Sequence, residues 1–420
     1  MGSKKMFAIE DITERIIDYR GKTPPKSDDG IRLVTAKVIK SGFIQEERAE
    51  YISEDTYTSW MRRGYPQQHD IVITTEAPLG EVAQLRTPEK VALAQRVILL
   101  RAKQDVMDQQ YFYHALKSPI VQASLQQRST GTTVLGIKQS ELRKVEVPYF
   151  PLSAQRKIAA ILSAYDDLIE NNLRRIKILE EMAQNLYREW FVNFRFPGHE
   201  NTRLVDSPLG EIPEGWEVGK ITDLSRIYSG YPFKSKTYLK SATYKIITIK
   251  NVKSGQFINT STSQLDSIPL NMPRYCQLKN GDILLSLTGN VGRTCLAFGN
   301  NLLLNQRVAK ITPLSLCNRG YIYLTFRQEL LREKLELMAS GVAQQNLSPV
   351  QTGNMEILKP PSNILSAFSN AIEPICDIII SLNLKNENLS QTRDLLLPKI
   401  ISGEVDVSDL DINQPEETLE

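Results

Sequence analysis

Residues 151–196 read PLSAQRKIAAILSAYDDLIENNLRRIKILEEMAQNLYREWFVNFRF, and this stretch decides the architecture. Ile158, Leu162, Tyr165, Ile169, Asn172, Ile176, Leu179, Ala183, Leu186 and Trp190 follow one another in alternating steps of four and three. That spacing is the seam of a helix packed lengthwise on another helix. No Gly or Pro stands between Ala154 and Val192. At roughly 1.5 Å per residue, such a helix is a rod of about 60 Å. The charged residues Glu170, Arg174, Arg175, Glu180 and Glu181 fall on its other faces.

The chain on either side of the rod is one unit written twice. TAKVIKSGFI (35–44) returns as TIKNVKSGQFI (248–258), and HDIVITTEAPLGEVA (69–83) as GDILLSLTGNVGRTC (281–295). LAQRVILL (93–100) returns as LNQRVAKI (304–311), and YFYHAL (111–116) as YIYLTF (321–326). STGTTVLGI (129–137) and VPYFPLSAQ (147–155) likewise have counterparts in ASGVAQQNLS (339–348) and LKPPSNILS (358–366). Six pairs in one order at one offset mean an internal duplication.

The second copy also ends in a seam. Leu365, Phe368, Ile372, Ile375, Ile379, Leu382, Asn386, Leu389, Arg393 and Leu396 carry the same alternation. Pro374 predicts a break or kink near Glu373, with Pro398 and Gly403 ending the helix. The simplest pairing sets the two rods antiparallel, with Asn172 and Asn386 fixing register at a cost in stability. The alternative packs each rod only on its own globule.

The expected fold is mixed α/β (α+β). Two similar globular domains are separated by two long antiparallel helices that form a coiled-coil-like spacer, with pseudo-two-fold internal symmetry. The segments are 1–150 (domain 1), 151–206 (central helical spacer), 207–360 (domain 2) and 361–420 (distal spacer with acidic tail). Runs such as Ile71–Thr75, Val97–Leu100 and Ile283–Leu287 read as strands. The stretches 108–127 and 319–338 read as helices leading into Gly-containing loops. Residues 406–420 read as a disordered acidic end.

The chain has 420 residues, 41% hydrophobic and 24% charged, within the range of a globular protein. No apolar run of membrane length and no signal-peptide core is expected, so the chain reads as cytoplasmic. Its net charge of +3 is uneven. Segment 207–360 has 18 basic against 10 acidic residues, and 361–420 has 3 against 11. A basic globular segment hints at nucleic acid. The four cysteines and three histidines show no metal-ligand spacing, so no metal site is expected. No phosphate-binding loop, nucleophile elbow, HExxH or GxGxxG motif is present, nor the Asn/Asp-Pro-Pro-aromatic tetrapeptide of amino-methyltransferases. No catalytic residue is assigned.

Binding finds more support. Ser129, Thr130, Gly131, Thr132, Thr133 and Lys138 form a hydroxyl- and glycine-rich loop, with Ser340, Gly341, Gln344, Gln345 and Asn346 as its counterpart. Small side chains let backbone approach DNA, and Gln or Asn can pair bidentately with adenine. Lys37, Lys40, Lys250 and Lys253, at matching places in the two copies, are candidates for phosphate contact.

The central stretch resembles the central conserved region of type I restriction–modification specificity (S) subunits. PLGEIPEGWEVGKITDLSRIYSGYPF (208–233) resembles the opening of that family's second target-recognition domain, and RDLLLPKIISGEV (393–405) its distal conserved region. The resemblance implies two target-recognition domains, each reading half of a bipartite double-stranded DNA sequence. It implies helices that set the gap and dock two modification subunits. It implies S-adenosylmethionine in those partners, ATP and Mg in restriction/translocase subunits, and no cofactor or active site in this chain. The other readings are a coiled-coil scaffold with two protein-binding domains and a bifunctional methyltransferase with its own specificity domain.

Overall fold

The computed structural model describes residues 5–19, 23–40, 42–45, 49–340 and 346–412, with only the backbone at Ser340. The chain divides into two compact units, Met1–Leu168 with Leu389–Glu420, and Ile169–Asn388. Both divisions fall inside long helices, Leu152–Phe191 and Ser362–Ile401.

In the first unit a four-stranded antiparallel sheet runs in the order Thr13–Asp18, Val97–Ala102, Ile71–Thr75, Leu79–Gln84. A three-stranded sheet runs Glu50–Ile52, Ile31–Val34, Val91–Leu93, its last pair parallel. The wholly buried strand Ile71–Thr75 explains the unbroken apolar run there. The predicted helix over 108–127 is two, Gln109–Lys117 and Pro119–Gln127. Ser118 caps the second, and Pro119 takes its first turn, where a missing N–H costs nothing.

The second unit repeats this topology. Ser225–Ser229, Val308–Pro313, Ile283–Ser286 and Thr294–Leu296 form the four-stranded antiparallel sheet in the same order. Tyr244–Ile247 pairs parallel with Leu302–Leu304, as Ile31–Val34 does with Val91–Leu93. Helices Arg319–Arg327 and Glu329–Ser340 follow. The duplication read in the sequence is a duplication of fold.

In each unit the two helices pack on each other and on the globular domain, so the two predicted packings hold together. In the first unit Ile158 and Leu162 share one core with Leu397, Ile400 and Ile401 and with Tyr111, Phe112 and Leu116 of the domain. In the second, Tyr187, Trp190 and Phe191 meet Phe368 and the domain's Tyr321, with Phe191 and Phe368 edge-to-face at 4.7 Å. Each such side chain, fully buried, contributes on the order of 1.5–3 kcal/mol. Within the second unit Asn172 lies opposite Asn386 and Tyr187 opposite Phe368, which makes the two helices antiparallel.

Four expectations are corrected. The distal helix does not break near Glu373: it continues through Pro374 and Pro398 to Ile401. Pro374 and Asn370, whose carbonyl would otherwise receive the missing N–H, are both exposed, so water can serve that carbonyl. Gly403, at φ +63°, closes the helix: its N–H meets Ile400 C=O at 2.8 Å, and Glu404 N–H meets Lys399 C=O at 2.8 Å. In the seam, Tyr165 is only half-buried and Asp166 is fully buried in its place. Burial at Ile158, Leu162 and Asp166 advances in fours, as on a straight helix of 3.6 residues per turn. Ile176, Leu179, Leu186, Ile375, Leu389 and Leu396 are half-buried, while Ile169, Ile372, Ile379 and Leu382 are buried as predicted. The acidic end is ordered at its start, since Val407 enters the first unit's core; 413–420 lie outside the described residues. Finally, Ser362–Ile401 is long and apolar enough by composition to cross a membrane, contrary to the sequence reading. Its Phe368, Ile372 and Cys376 are instead spent on the second unit's core.

Candidate nucleic-acid interface

A chain of backbone hydrogen bonds gathers the candidate loop in domain 1. Val34 C=O accepts Ala94 N–H at 3.0 Å, and Ala94 C=O accepts Val97 N–H at 3.2 Å across the turn Gln95–Arg96. Arg96 C=O accepts Thr75 N–H at 3.0 Å, and Thr75 C=O accepts Ile137 N–H at 2.9 Å. Thr130 and Gly136 then exchange both backbone bonds, at 2.8 and 2.9 Å, which closes the loop 130–136 on itself.

Domain 2 makes the same chain with different side chains. Ile247 C=O accepts Asn305 N–H at 3.0 Å, Asn305 C=O accepts Val308 N–H at 2.9 Å, Arg307 C=O accepts Leu287 N–H at 3.0 Å, and Leu287 C=O accepts Leu347 N–H at 2.8 Å. Thr288 bridges Asn346, as Glu76 bridges Gly136. Each domain therefore joins a strand end, a Gln-Arg turn and the candidate loop at one place.

Lys37 follows Val34 by three residues, Lys250 follows Ile247 by three, and both are exposed. Thr130, Gly131, Thr132, Thr133, Lys138 and Asn346 are exposed, and Ser129 is half-buried with its hydroxyl donating to Gln126 C=O at 2.6 Å. Gly341, Gln344 and Gln345 lie outside the described residues, and Ser340 ends the helix Glu329–Ser340. Lys40 and Lys253 are not on this chain of bonds. They stand on short hairpins whose turns close on the helices Gln109–Lys117 and Arg319–Arg327. Tyr113 hydroxyl donates to Gly42 C=O at 3.0 Å, and a Cβ at Gly42 would lie 3.0 Å from Lys117 Nζ. A Cβ at Gly255 would strike the Arg327 guanidinium. Those two close approaches, with φ +91° and +77°, are why both copies have a glycine at this turn.

Residues not singled out from the sequence also stand here. Arg96 Nε lies 2.7 Å from Glu76 Oε1. Val134 and Leu135 are 54% and 47% exposed on the loop. The signal for Arg96 was present in LAQRV and LNQRV, which identify the repeat but not what the arginine meets.

Behind each domain a buried charge cluster anchors it to the first long helix. Lys117 Nζ lies 3.3 Å from Asp166 Oδ2, and Arg393 bonds Asp166 Oδ1. Burial works to raise the Asp166 carboxyl, but the Lys117 ammonium and the Arg393 guanidinium hold it below the usual carboxylate range. Burial, reinforced by Lys117, drives His114 down to about 3, so it is neutral here. In the second unit Arg327 lies 3.3 Å from Glu180 and Tyr323 hydroxyl donates to Glu180 at 3.1 Å; burial pushes that carboxyl up against Arg327.

The same strand end, turn and loop thus meet in both domains, with exposed hydroxyl and basic groups there in domain 1 and an exposed amide with basic groups in domain 2. Among the described residues no group of three or more His, Cys, Asp or Glu is placed to hold a metal. The family model for the type I restriction modification DNA specificity domain matches residues 2–181 and 213–384, and the chain belongs to that family. It is 28% identical over 348 residues to the type I restriction enzyme MjaIX specificity subunit of Methanocaldococcus jannaschii, covering 81% of this chain and 78% of that one. It is 24% identical to the HindI specificity subunit of Haemophilus influenzae, covering 60% and 67%. The crystal structure of the type I restriction-modification S subunit from M. genitalium shares the fold, with a TM-score of 0.56 at 15% identity over 95% of this chain and 97% of that one.

Proposed function

We propose that each domain reads one half of a bipartite duplex DNA target, through the loop 129–138 with Lys37 in domain 1 and Asn346 with Lys250 in domain 2. The paired helices set the gap between the halves and dock two modification subunits. Those partners supply S-adenosylmethionine and the methyl-transfer chemistry; restriction/translocase subunits supply ATP and Mg chemistry; this chain performs no chemical step. The observation that carries the reading is the identical chain of backbone bonds in the two domains. It presents different side chains from one scaffold, which is what two independent readers need. Basic side chains there hold phosphates, and hydroxyls and amides address base edges.

The test is to co-express the chain with its modification subunits and sequence the methylated sites. One bipartite site is expected, and replacing residues 1–150 by another member's equivalent should change one half only. Methylation by the isolated chain, or a change in both halves, would overturn the reading.

A further inference from the structure

The Gln-Arg turn lies outside the predicted interface residues, yet it occupies the middle of the bond chain in both domains. Gln95–Arg96 and Gln306–Arg307 fill the two central positions of tight turns, closed by Val97 N–H to Ala94 C=O and Val308 N–H to Asn305 C=O. The arginine carbonyl is also taken in each case, by Thr75 N–H or Leu287 N–H, so the backbone is fixed on both sides of an exposed side chain. A pinned backbone presenting a planar cation is pre-organised for DNA, because the guanidinium fork matches guanine O6/N7 and phosphate oxygens. The immediate neighbours differ. Arg96 is paired at 2.7 Å with Glu76, both side chains about half exposed. At the place of Glu76, domain 2 has Thr288, and no carboxylate of the described residues pairs with Arg307.

We infer that Arg96 and Arg307 are DNA-contacting, specificity-determining residues of the two half-sites, and that Glu76 restrains Arg96 so that domain 1 rejects DNA lacking its cognate half-site. The inference rests on the DNA-reading function proposed above. Glu76 places a negative charge beside any phosphate that approaches Arg96, so nonspecific backbone contact is opposed. A guanine edge that takes both guanidinium donors, with a donor such as cytosine N4 for the freed carboxylate, restores what the ion pair loses. Arg307, without such a neighbour, engages DNA without that barrier.

The test uses the full chain in complex with its modification subunits, and duplexes carrying either the complex's own methylated site or random sequence. Arg96→Ala and Arg307→Ala should each weaken cognate binding by roughly 5- to 150-fold. Each should relax sequence preference only in its own half, with melting temperature unchanged because both side chains are exposed. Glu76→Thr, which copies domain 2, should tighten binding to random duplex by about two- to fivefold and steepen its salt dependence by about one counterion. Unchanged cognate affinity and half-site preference in both arginine variants, in a complex that still methylates a bipartite site, would overturn the inference and leave the function standing. Unchanged random-duplex binding in Glu76→Thr would overturn the restraint. A wild-type complex with no sequence preference would overturn the function itself.

Discussion

Asp166 of the first long helix and Arg393 of the second meet as a buried ion pair, with Asp166 fully buried and Lys117 of domain 1 on its other oxygen. One carboxylate thus ties both helices to one domain. In domain 2 Arg327 stands at the place of Lys117 and meets Glu180, fourteen residues further along the same first helix. Charges in these places cost desolvation and give orientation in return, because a buried pair is satisfied in one geometry only.

Asp166→Ala leaves Lys117 buried without its anion and Arg393 with only the largely exposed Asp394 carboxylate. The expected loss is about 3–5 kcal/mol of the first unit's stability. The triple variant Asp166→Leu, Arg393→Leu, Lys117→Met removes all three charges and should recover most of it. Thermal melting of the two variants decides; a triple variant no more stable than Asp166→Ala would mean the charges themselves hold the packing.

His114 gives the first unit an acid sensitivity. Its folded value near 3 lies below the ordinary value of about 6.5, so below pH 6.5 the unfolded chain takes a proton that the folded chain refuses. Stability is therefore fully present above about pH 6.5 and is lost as pH falls toward 3, by on the order of 1 kcal/mol per unit. Asp166, also depressed, loses its contribution only as pH falls below the ordinary carboxylate range. Domain 2 has Leu324 at the equivalent position, so His114→Leu copies a solution the fold already uses. The variant should show a flatter melting temperature between pH 6.5 and 4; an unchanged pH dependence would remove His114 as its source.

The duplication, the two seams and the loop 129–137 were legible because each is written as a period or a repeat. Asp166 was not, since a carboxylate in a helical sequence reads as solvent-facing until Lys117 and Arg393 are seen around it. The seam was read one residue off at Tyr165 because a strict heptad drifts from 3.6 residues per turn. The unbroken helix at Pro374 depends on the exposure of Asn370 and Pro374, which is a property of packing. Arg96 and Glu76 lie twenty residues apart and meet only because the antiparallel pairing of Val97–Ala102 with Ile71–Thr75 brings the turn to the strand end.

Asn172 and Asn386 were predicted as a register device, and Asn172 Nδ2 donates to Asn386 Oδ1 at 2.8 Å in the buried seam. Replacing one partner leaves the other amide buried and unpaired, at about 1–3 kcal/mol. Asn172→Leu alone should therefore destabilise the second unit, and Asn172→Leu with Asn386→Leu should reach or exceed the parent. A double-mutant cycle by denaturant unfolding measures the coupling, and additive single effects would mean that the pair carries no register information.

The helices should act as the ruler between half-sites. Four residues inserted at Arg174–Lys177 lengthen the helix by about 6 Å and leave a net rotation of roughly 40°. In one helix alone the insertion would set the Asn172–Asn386 pair against the Phe191–Phe368 contact, forcing a stutter. A matching insertion among residues 381–385, opposite in the antiparallel pair, keeps both. One added base pair moves the far site by about 3.4 Å and about 34°, so the rotations nearly agree. Rotation governs, because each loop must still face its groove, while a few ångströms of extra length can be absorbed by DNA bending. The doubly inserted chain should direct methylation to the same two half-sites with a gap longer by one base pair, or at most two. Sequencing methylated sites in cells that carry it reads the gap directly. An unchanged gap in an active complex would mean the helices are not the ruler, and new half-site sequences would mean the domains do not read independently of the spacer.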